Sequence, residues 1–339
     1  MNILIADAFP PPQLERLRGD GHRCEFAPTL TGDDLPGALP GFEALVVRST
    51  RVTAAALEAA DKLKLVVRAG AGTNTIDIER ARDLGIDVCN VPGANALAVA
   101  ELTLGLILAA DRRIPDNVAD LRNGAWNKKR YSRARGLFGR SLGIVGAGAI
   151  GLAVAERAAA FGMRILVLAS PRRGDAARER LAAVGATEPT SLGELAGQSD
   201  YLTLHVPSGA QTRGLVDRAV LARMRPGSVL VNTSRSDVVD EAALIEALDT
   251  KDLRAVVDVF DGEPASGEAR FDSPLARHPN VYGTHHIGAS TEQAQSAVAD
   301  GVVRVITTFV DGKVIHCVNA APHAARGAGH PIRSTTGSE

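Results

Sequence analysis

A chain of 339 residues with 45% apolar and 23% charged residues is ordinary for a water-soluble protein and long enough for two hydrophobic cores. A formal net charge of -1 leaves no overall field to attract nucleic acid, so the expected partners are small molecules. Cys24, Cys89 and Cys317 are widely spaced and form no C-x-x-C pair or metal-ligand cluster, so buried reduced thiols, no metal and a reducing cytoplasm are expected.

The N-terminus, Met1-Asn-Ile-Leu-Ile-Ala-Asp7, lacks a basic region, and its apolar run is too short for a signal peptide. No later run is long enough to span a bilayer, so a soluble intracellular protein is expected. Ile3-Leu-Ile5, Ala44-Leu-Val-Val47 and Leu63-Lys-Leu-Val-Val67 read as buried parallel strands, with helical patterns near Gln13 to Leu17, Ala54 to Ala60 and Ile76 to Leu84 between them. The long, nearly uncharged run from Asn95 to Ala110 predicts a helix buried on most faces, of the kind found at a domain or subunit interface.

A second strand–helix series begins at Ser141-Leu-Gly-Ile-Val-Gly-Ala-Gly-Ala-Ile-Gly151, where a short apolar run leads into G-x-G-x-x-G at Gly146, Gly148 and Gly151. In that order the first glycine turns the chain, the second lets a pyrophosphate approach the backbone, and the third packs the new helix on the strand. The helix N-terminus then offers free N–H groups to a diphosphate. Leu152 to Phe161 reads as that helix and Met163 to Leu168 as the next strand, a context that favours dinucleotide binding over a plain glycine-rich turn.

The series continues through Tyr201-Leu-Thr-Leu204, Ser228-Val-Leu-Val231, Leu253 to Val257 and Asn280-Val-Tyr-Gly283. This alternation predicts an α/β fold with two doubly wound parallel sheets, Rossmann-like or flavodoxin-like, and an active-site cleft between two domains. A last helix from about Glu292 to Val310 precedes a short strand at Val314 to Val318, and the tail 321–339, rich in small residues without periodicity, reads as disordered. The expected division is 1–94 with 287–320 as the substrate-binding domain and 95–286 as the dinucleotide-binding domain.

Three segments at predicted strand ends of the second domain carry chemistry: Asn232-Thr-Ser-Arg-Ser-Asp-Val-Val-Asp-Glu241, Asp258-Val-Phe-Asp-Gly-Glu-Pro264 and His285-His-Ile-Gly-Ala-Ser-Thr291. With the glycine loop, in this order, they resemble the D-isomer-specific 2-hydroxyacid dehydrogenase family over about residues 1 to 320. The resemblance implies a catalytic arginine at Arg235, a glutamate at Glu263 and a histidine at His286. The chemistry suits those types. Oxidising a secondary alcohol needs a base for the hydroxyl proton and a cation for the neighbouring carboxylate and the nascent carbonyl. Surface pairing of Arg235 and Glu263, or a histidine satisfied in the core, is the bland alternative for each residue taken alone. His285 stands where the family more often has proline, and Ser236 where it usually has glycine; the spacing to Ile287-Gly-Ala289 selects His286.

The resemblance further implies cofactor contacts from Gly146, Gly148, Ala149, Ile150, Gly151, Ala169, Ser170, His205, Val206, Pro207, Thr212, Thr233, Ser234, Arg235, Asp258, His286, Gly288 and Ala289. It implies substrate contacts from Arg48, Ser49, Gly70, Ala71, Gly72 and Lys129. In this scheme the loop Arg68-Ala-Gly-Ala-Gly72 binds a carboxylate through backbone N–H groups. Arg48 and the run Trp126-Asn-Lys-Lys-Arg-Tyr131 match positions near a substrate phosphate, for which a solvated basic loop is the alternative at Lys128, Lys129 and Arg130.

The expected activity is oxidation of a D-2-hydroxy acid, 3-phosphoglycerate in serine biosynthesis, by a homodimer or larger homo-oligomer. A glyoxylate or hydroxypyruvate reductase is the nearest rival, and a dinucleotide-sensing corepressor a rival of another class. Regulation by serine through a further C-terminal domain is not expected. The cofactor stays open as NAD(P). NAD is the family default, but the strand ending Leu168-Ala-Ser-Pro-Arg-Arg173 lacks the acid that accepts both ribose hydroxyls, and Arg172 and Arg173 could receive a 2′-phosphate.

Overall fold

A computed structural model describes residues 1–264 and 268–320. The chain falls into two compact units, Met1–Pro92 with the residues from Ala299 onward, and Gly93–Val298. The tail 321–339, expected to be disordered, lies outside the described residues.

The first unit holds β1 (Asn2–Ile5), β2 (Arg23–Phe26), β3 (Ala44–Val47), β4 (Leu65–Arg68) and β5 (Asp87–Asn90). All pairings are parallel, in the order β2-β1-β3-β4-β5. This is the flavodoxin-like order, whose crevice opens where the winding reverses, past the C-terminal ends of β1 and β3. β3 is buried along its whole length, which is why it reads as a continuous apolar run. β2 is an edge strand of sequence Arg-Cys-Glu-Phe with no fully buried residue, so no apolar pattern announces it. The strand expected at Val314 to Val318 reduces to one antiparallel bridge between Cys89 and Cys317.

The second unit holds β6 (Ser141–Val145), β7 (Arg164–Val167), β8 (Tyr201–Leu204), β9 (Val229–Asn232), β10 (Arg254–Val257) and β11 (Val281–Gly283). Their order is β11-β10-β9-β8-β6-β7, all parallel. Winding reverses between β6 and β8, so the loops after Val145 and Leu204 flank the expected ligand crevice.

Helix Ala96–Arg112 places Ala100, Leu104, Ile107 and Ala110 in one core with Leu152, Ala155 and Ala158 of helix Ala149–Ala160. Alanines at the contact let the two backbones come close without leaving voids. The division between units falls inside helix Glu292–Val310, further along the chain than the expected return at 287. The reason is local: the N–H groups of Ile287 and Gly288 donate to the buried carboxylate of Asp258, at 2.9 Å each, and tie this stretch to β10.

Candidate active site

The glycine loop follows β6 without a break. Gly146 has φ +96, and a Cβ there would run into the carbonyl of His205. A Cβ on Gly151 would collide with the Gly146 carbonyl oxygen, so the third glycine is needed for the helix to leave the turn at this angle. Gly148 differs. It sits at the helix N-cap in extended conformation, and a Cβ there would meet nothing within 4 Å. The first helical bond runs from the Leu152 N–H to the Gly148 carbonyl, leaving the N–H groups of Ala149, Ile150 and Gly151 without helical acceptors.

His205 follows β8. Its Nε2 lies 3.0 Å from Thr203 Oγ1, and its Nδ1 is buried without a hydrogen-bond partner. The residue as a whole is partly accessible, but its ring is enclosed, and burial pulls its pKa down to about 3, so the ring is neutral. Open space above Gly148, orphan N–H groups at a helix start and an unpaired buried ring nitrogen together fit a dinucleotide with its diphosphate on the loop. Val206 and Pro207 continue this loop, and Thr212 Oγ1 closes it by donating to the Pro207 carbonyl at 2.6 Å.

The chemistry-bearing side chains stand past the C-terminal ends of β9, β10 and β11. Asn232 ends β9 and shapes the turn beyond it: its Oδ1 accepts from the Ser234 N–H and Oγ, and its Nδ2 donates to the Arg235 carbonyl. Thr233 meets Thr103 of helix Ala96–Arg112, hydroxyl to hydroxyl, at 2.9 Å. Arg235 is half-buried; its Nη1 donates to the Ser234 carbonyl at 2.6 Å, and its other guanidinium N–H groups have no partner among the described residues. Glu263, after β10, accepts from the Phe260 N–H through Oε1, while its Oε2 lies 2.7 Å from His286 Nδ1.

Burial pushes the Glu263 carboxyl up, but the hydrogen bonds from His286 and from the Phe260 backbone, with the charges of His286 and Arg235, outweigh it and hold the pKa below the ordinary value. His286 adopts φ +52, the left-handed region that a non-glycine residue enters only when its surroundings fix it. Asp258 does the fixing. It is 1% exposed, and its oxygens accept from the Thr284 hydroxyl and from the N–H groups of Ile287 and Gly288, the two residues after the histidine. His285 is exposed and makes no hydrogen bond among the described residues. Asn232 and Thr103 escaped the sequence reading as positioning residues, although Asn232 at a strand end before Thr-Ser is a recognisable side-chain turn signal.

In the first unit, Asp7 after β1 accepts from the N–H groups of Arg48, Ser49 and Thr50 and from the Ser49 hydroxyl, so it moulds the loop after β3. Asp7 too went unread. Ser49 is thereby engaged, whereas the half-buried Arg48 guanidinium has no partner among the described residues. After β4, Gly70 has φ +146 under the Arg68 guanidinium, and Asn90 Nδ2 donates to the Ala71 carbonyl at 2.6 Å. The N–H groups of Ala71 and Gly72 have no partner among the described residues.

Two expected residues stand apart from this picture. Lys129 lies in the helical turn Lys128–Tyr131 and lines a cavity of about 480 Å³ with Arg112, Arg113, Arg130, Arg133 and Arg254. Arg254 opens β10, so this cavity is at the N-terminal edge of the sheet, opposite to Glu263 and His286. A Cβ on Gly288 would meet Val99; from there to Arg112 the helix rises about 20 Å, beyond the reach of a lysine. The structure therefore does not bring Lys129 to the catalytic groups of its own chain. Arg173 is likewise not a free cation: its side chain is 4% exposed and paired with Glu188.

Among the described residues no group of acidic, histidine or cysteine side chains could hold a metal, and no helix is long and apolar enough to cross a membrane.

A parallel sheet with a glycine-turned dinucleotide loop, and a histidine–glutamate pair beside an arginine, define an NAD-binding oxidoreductase architecture. Residues 104–288 match the family described as D-isomer specific 2-hydroxyacid dehydrogenase, NAD binding domain, and the chain belongs to the D-isomer specific 2-hydroxyacid dehydrogenase family. It is 39% identical over 325 residues to the D-3-phosphoglycerate dehydrogenase of Methanocaldococcus jannaschii, a match covering 95% of this chain and 60% of the relative. It is 41% identical over 279 residues to the hydroxypyruvate reductase of Thermotoga maritima, covering 82% of this chain and 88% of the relative. The NAD+-bound 3-phosphoglycerate dehydrogenase of Entamoeba histolytica superposes with a TM-score of 0.77 at 25% identity, over 94% of this chain and 99% of that one. The chain thus spans about three fifths of the length of the archaeal phosphoglycerate dehydrogenase, 60% by the match above.

Proposed function

We propose that this protein oxidises D-3-phosphoglycerate to 3-phosphohydroxypyruvate with NAD, the reaction that opens serine synthesis, as a cytoplasmic homo-oligomer. The observation that carries the proposal is the 2.7 Å contact between His286 Nδ1 and Glu263 Oε2. An ionised carboxylate only accepts hydrogen bonds, so Nδ1 carries the ring proton and Nε2 keeps its lone pair. Nε2 is then the base that takes the C2 hydroxyl proton, and Glu263 stabilises the imidazolium that forms. Arg235, with guanidinium N–H groups to spare, holds the substrate carboxylate and the developing carbonyl oxygen. Bound nicotinamide supplies the acceptor for the C2 hydride.

Ala149, Ile150 and Gly151 would hold the diphosphate through their N–H groups, and Thr233, Ser234 and Asp258 would line the nicotinamide end. In the first unit, the Ala71 and Gly72 N–H groups suit a carboxylate, and the Arg48 guanidinium suits the phosphate. NAD is the cofactor the family description supports; preference for NAD over NADP is the finer proposal, although neither Ala169 nor Ser170 provides an acid to repel a 2′-phosphate.

Hydroxypyruvate reduction is the second reading, favoured by the 41% identity to the Thermotoga maritima protein over nearly all of its length. A corepressor-like role is the reading of another class; Arg235, Glu263 and His286 do not decide against it, and turnover by the purified protein does. The deciding experiment follows absorbance of the reduced cofactor with 3-phosphoglycerate plus NAD or NADP, and with hydroxypyruvate plus NADH or NADPH. A higher kcat/KM for the phosphorylated substrate is expected. Turnover of hydroxypyruvate alone would overturn the substrate assignment, and no turnover of either would overturn the enzyme reading.

A further inference from the structure

The exit of β7 is where a dinucleotide's adenosine ribose meets the protein in this kind of sheet. Here it is bordered by the segment Thr187–Pro189, which runs alongside β7: the Val167 N–H donates to the Thr187 carbonyl, and the Ala169 N–H to the Pro189 carbonyl, at 2.9 Å each. Glu188 is carried between them. Arg173, in the turn after β7, donates from Nη2 to the Leu168 carbonyl at 2.7 Å. Its Nη1 lies 2.5 Å from Glu188 Oε1, an ion pair without the alignment of a hydrogen bond. The arginine side chain is 4% exposed and the glutamate 42%. Arg172 is exposed and has no partner among the described residues.

A guanidinium cannot shed its proton, so burying it requires a counter-charge. Glu188 provides that counter-charge, and in doing so cancels the cation that stands nearest to Leu168. We infer that Glu188 is a specificity-determining residue for the cofactor: it neutralises Arg173 and sets a half-exposed carboxylate at the exit of β7, where a 2′-phosphate is repelled. The protein thus disfavours NADP without an acid at Ala169 or Ser170, and Arg172 alone is left to attract the phosphate. This inference rests on the dinucleotide reading given above. Its mode of action is electrostatic rather than by contact with the ribose.

The test is titration of the full-length protein with NADH and NADPH, read by nicotinamide fluorescence, which needs no turnover. Glu188→Gln keeps the shape of the side chain and removes its charge. Affinity for NADPH should then rise roughly tenfold, the size expected for one charge several ångströms away at intermediate dielectric, while NADH changes less than about twofold. The gain should shrink in high salt. Arg173→Met should act in the opposite sense, weakening NADPH further by leaving Glu188 unbalanced, with melting temperature recorded to establish that the variant is folded. An unchanged NADPH to NADH ratio of Kd in Glu188→Gln, or an equal shift for both cofactors, overturns the inference and leaves dinucleotide binding standing. Failure of the wild type to bind either cofactor overturns the dinucleotide reading, and this inference with it.

Discussion

His286 is held by two independent devices, one on its ring and one on its backbone. Glu263 fixes which ring nitrogen carries the proton, and Asp258 fixes the next two residues so that the left-handed φ of +52 persists. Strain of this kind amounts to about 1–3 kcal/mol and survives only where neighbours impose it. His286→Ala should lower kcat by about two to four orders of magnitude while NADH still binds by fluorescence. His285→Ala should leave kcat nearly intact, since that side chain is exposed and unbonded; a larger loss there would reverse the assignment. Choosing between two adjacent histidines was possible in the sequence only from spacing to Ile287-Gly-Ala289. The partner that makes the choice physical, Glu263, lies 23 positions away along the chain, and no periodicity reports such a pairing.

The strand–turn–helix element from Ser141 to Ala160 contains three glycines with different jobs, and substitution separates them. Gly151→Ala drives a methyl group into the Gly146 carbonyl, so the helix must shift away from β6. We expect a lower melting temperature together with loss of NADH affinity. Gly148→Ala places its methyl in open space, so thermal unfolding should stay close to wild type. NADH affinity should nonetheless fall by about tenfold or more, because that space is where the diphosphate is proposed to lie. If Gly148→Ala binds NADH as well as the wild type does, the diphosphate is not on this loop. This element was legible because its constraints are local: buried apolar strand, glycine at a positive φ, small residues on the new helix. Edge strand β2 was not, because Arg23 to Phe26 is solvent-facing and carries no apolar run.

At the scale of the whole molecule, the proposed substrate choice depends on the first unit. Arg48→Ala should raise KM for 3-phosphoglycerate by about tenfold or more and change KM for an unphosphorylated hydroxy acid little, because only the phosphate loses a charge-assisted bond. Equal effects on both would count against a phosphate site. The surface bears on assembly as well. Trp126 and Phe138 are 82% and 87% exposed, and Ile114 and Leu121 are about half exposed; covering such large apolar side chains is what a subunit interface would achieve. Sedimentation at micromolar concentration should give a dimer, and Trp126→Ser with Phe138→Ser should move it toward monomer; a monomeric wild type would refute this.

The sequence by itself determined the α/β class and the glycine loop, since these follow from short-range pattern and from glycines that only one backbone path accepts; Arg235, Glu263 and His286 came forward as candidates only through the resemblance to a family. Tertiary structure decided what each charged group is free to do. Arg173 and Lys129 looked alike in the sequence, two cations available to a phosphate. Folding buries Arg173 against Glu188, 15 positions away, and leaves Lys129 at the edge of the sheet opposite to His286. Asp7, unremarked in the sequence, and Asp258, read there only as a cofactor contact, brace the loops that carry Arg48 and His286. Charge is written in the chain, but the availability of a charge depends on which opposite group or N–H the fold delivers to it, and at interior dielectric that neighbour decides the outcome.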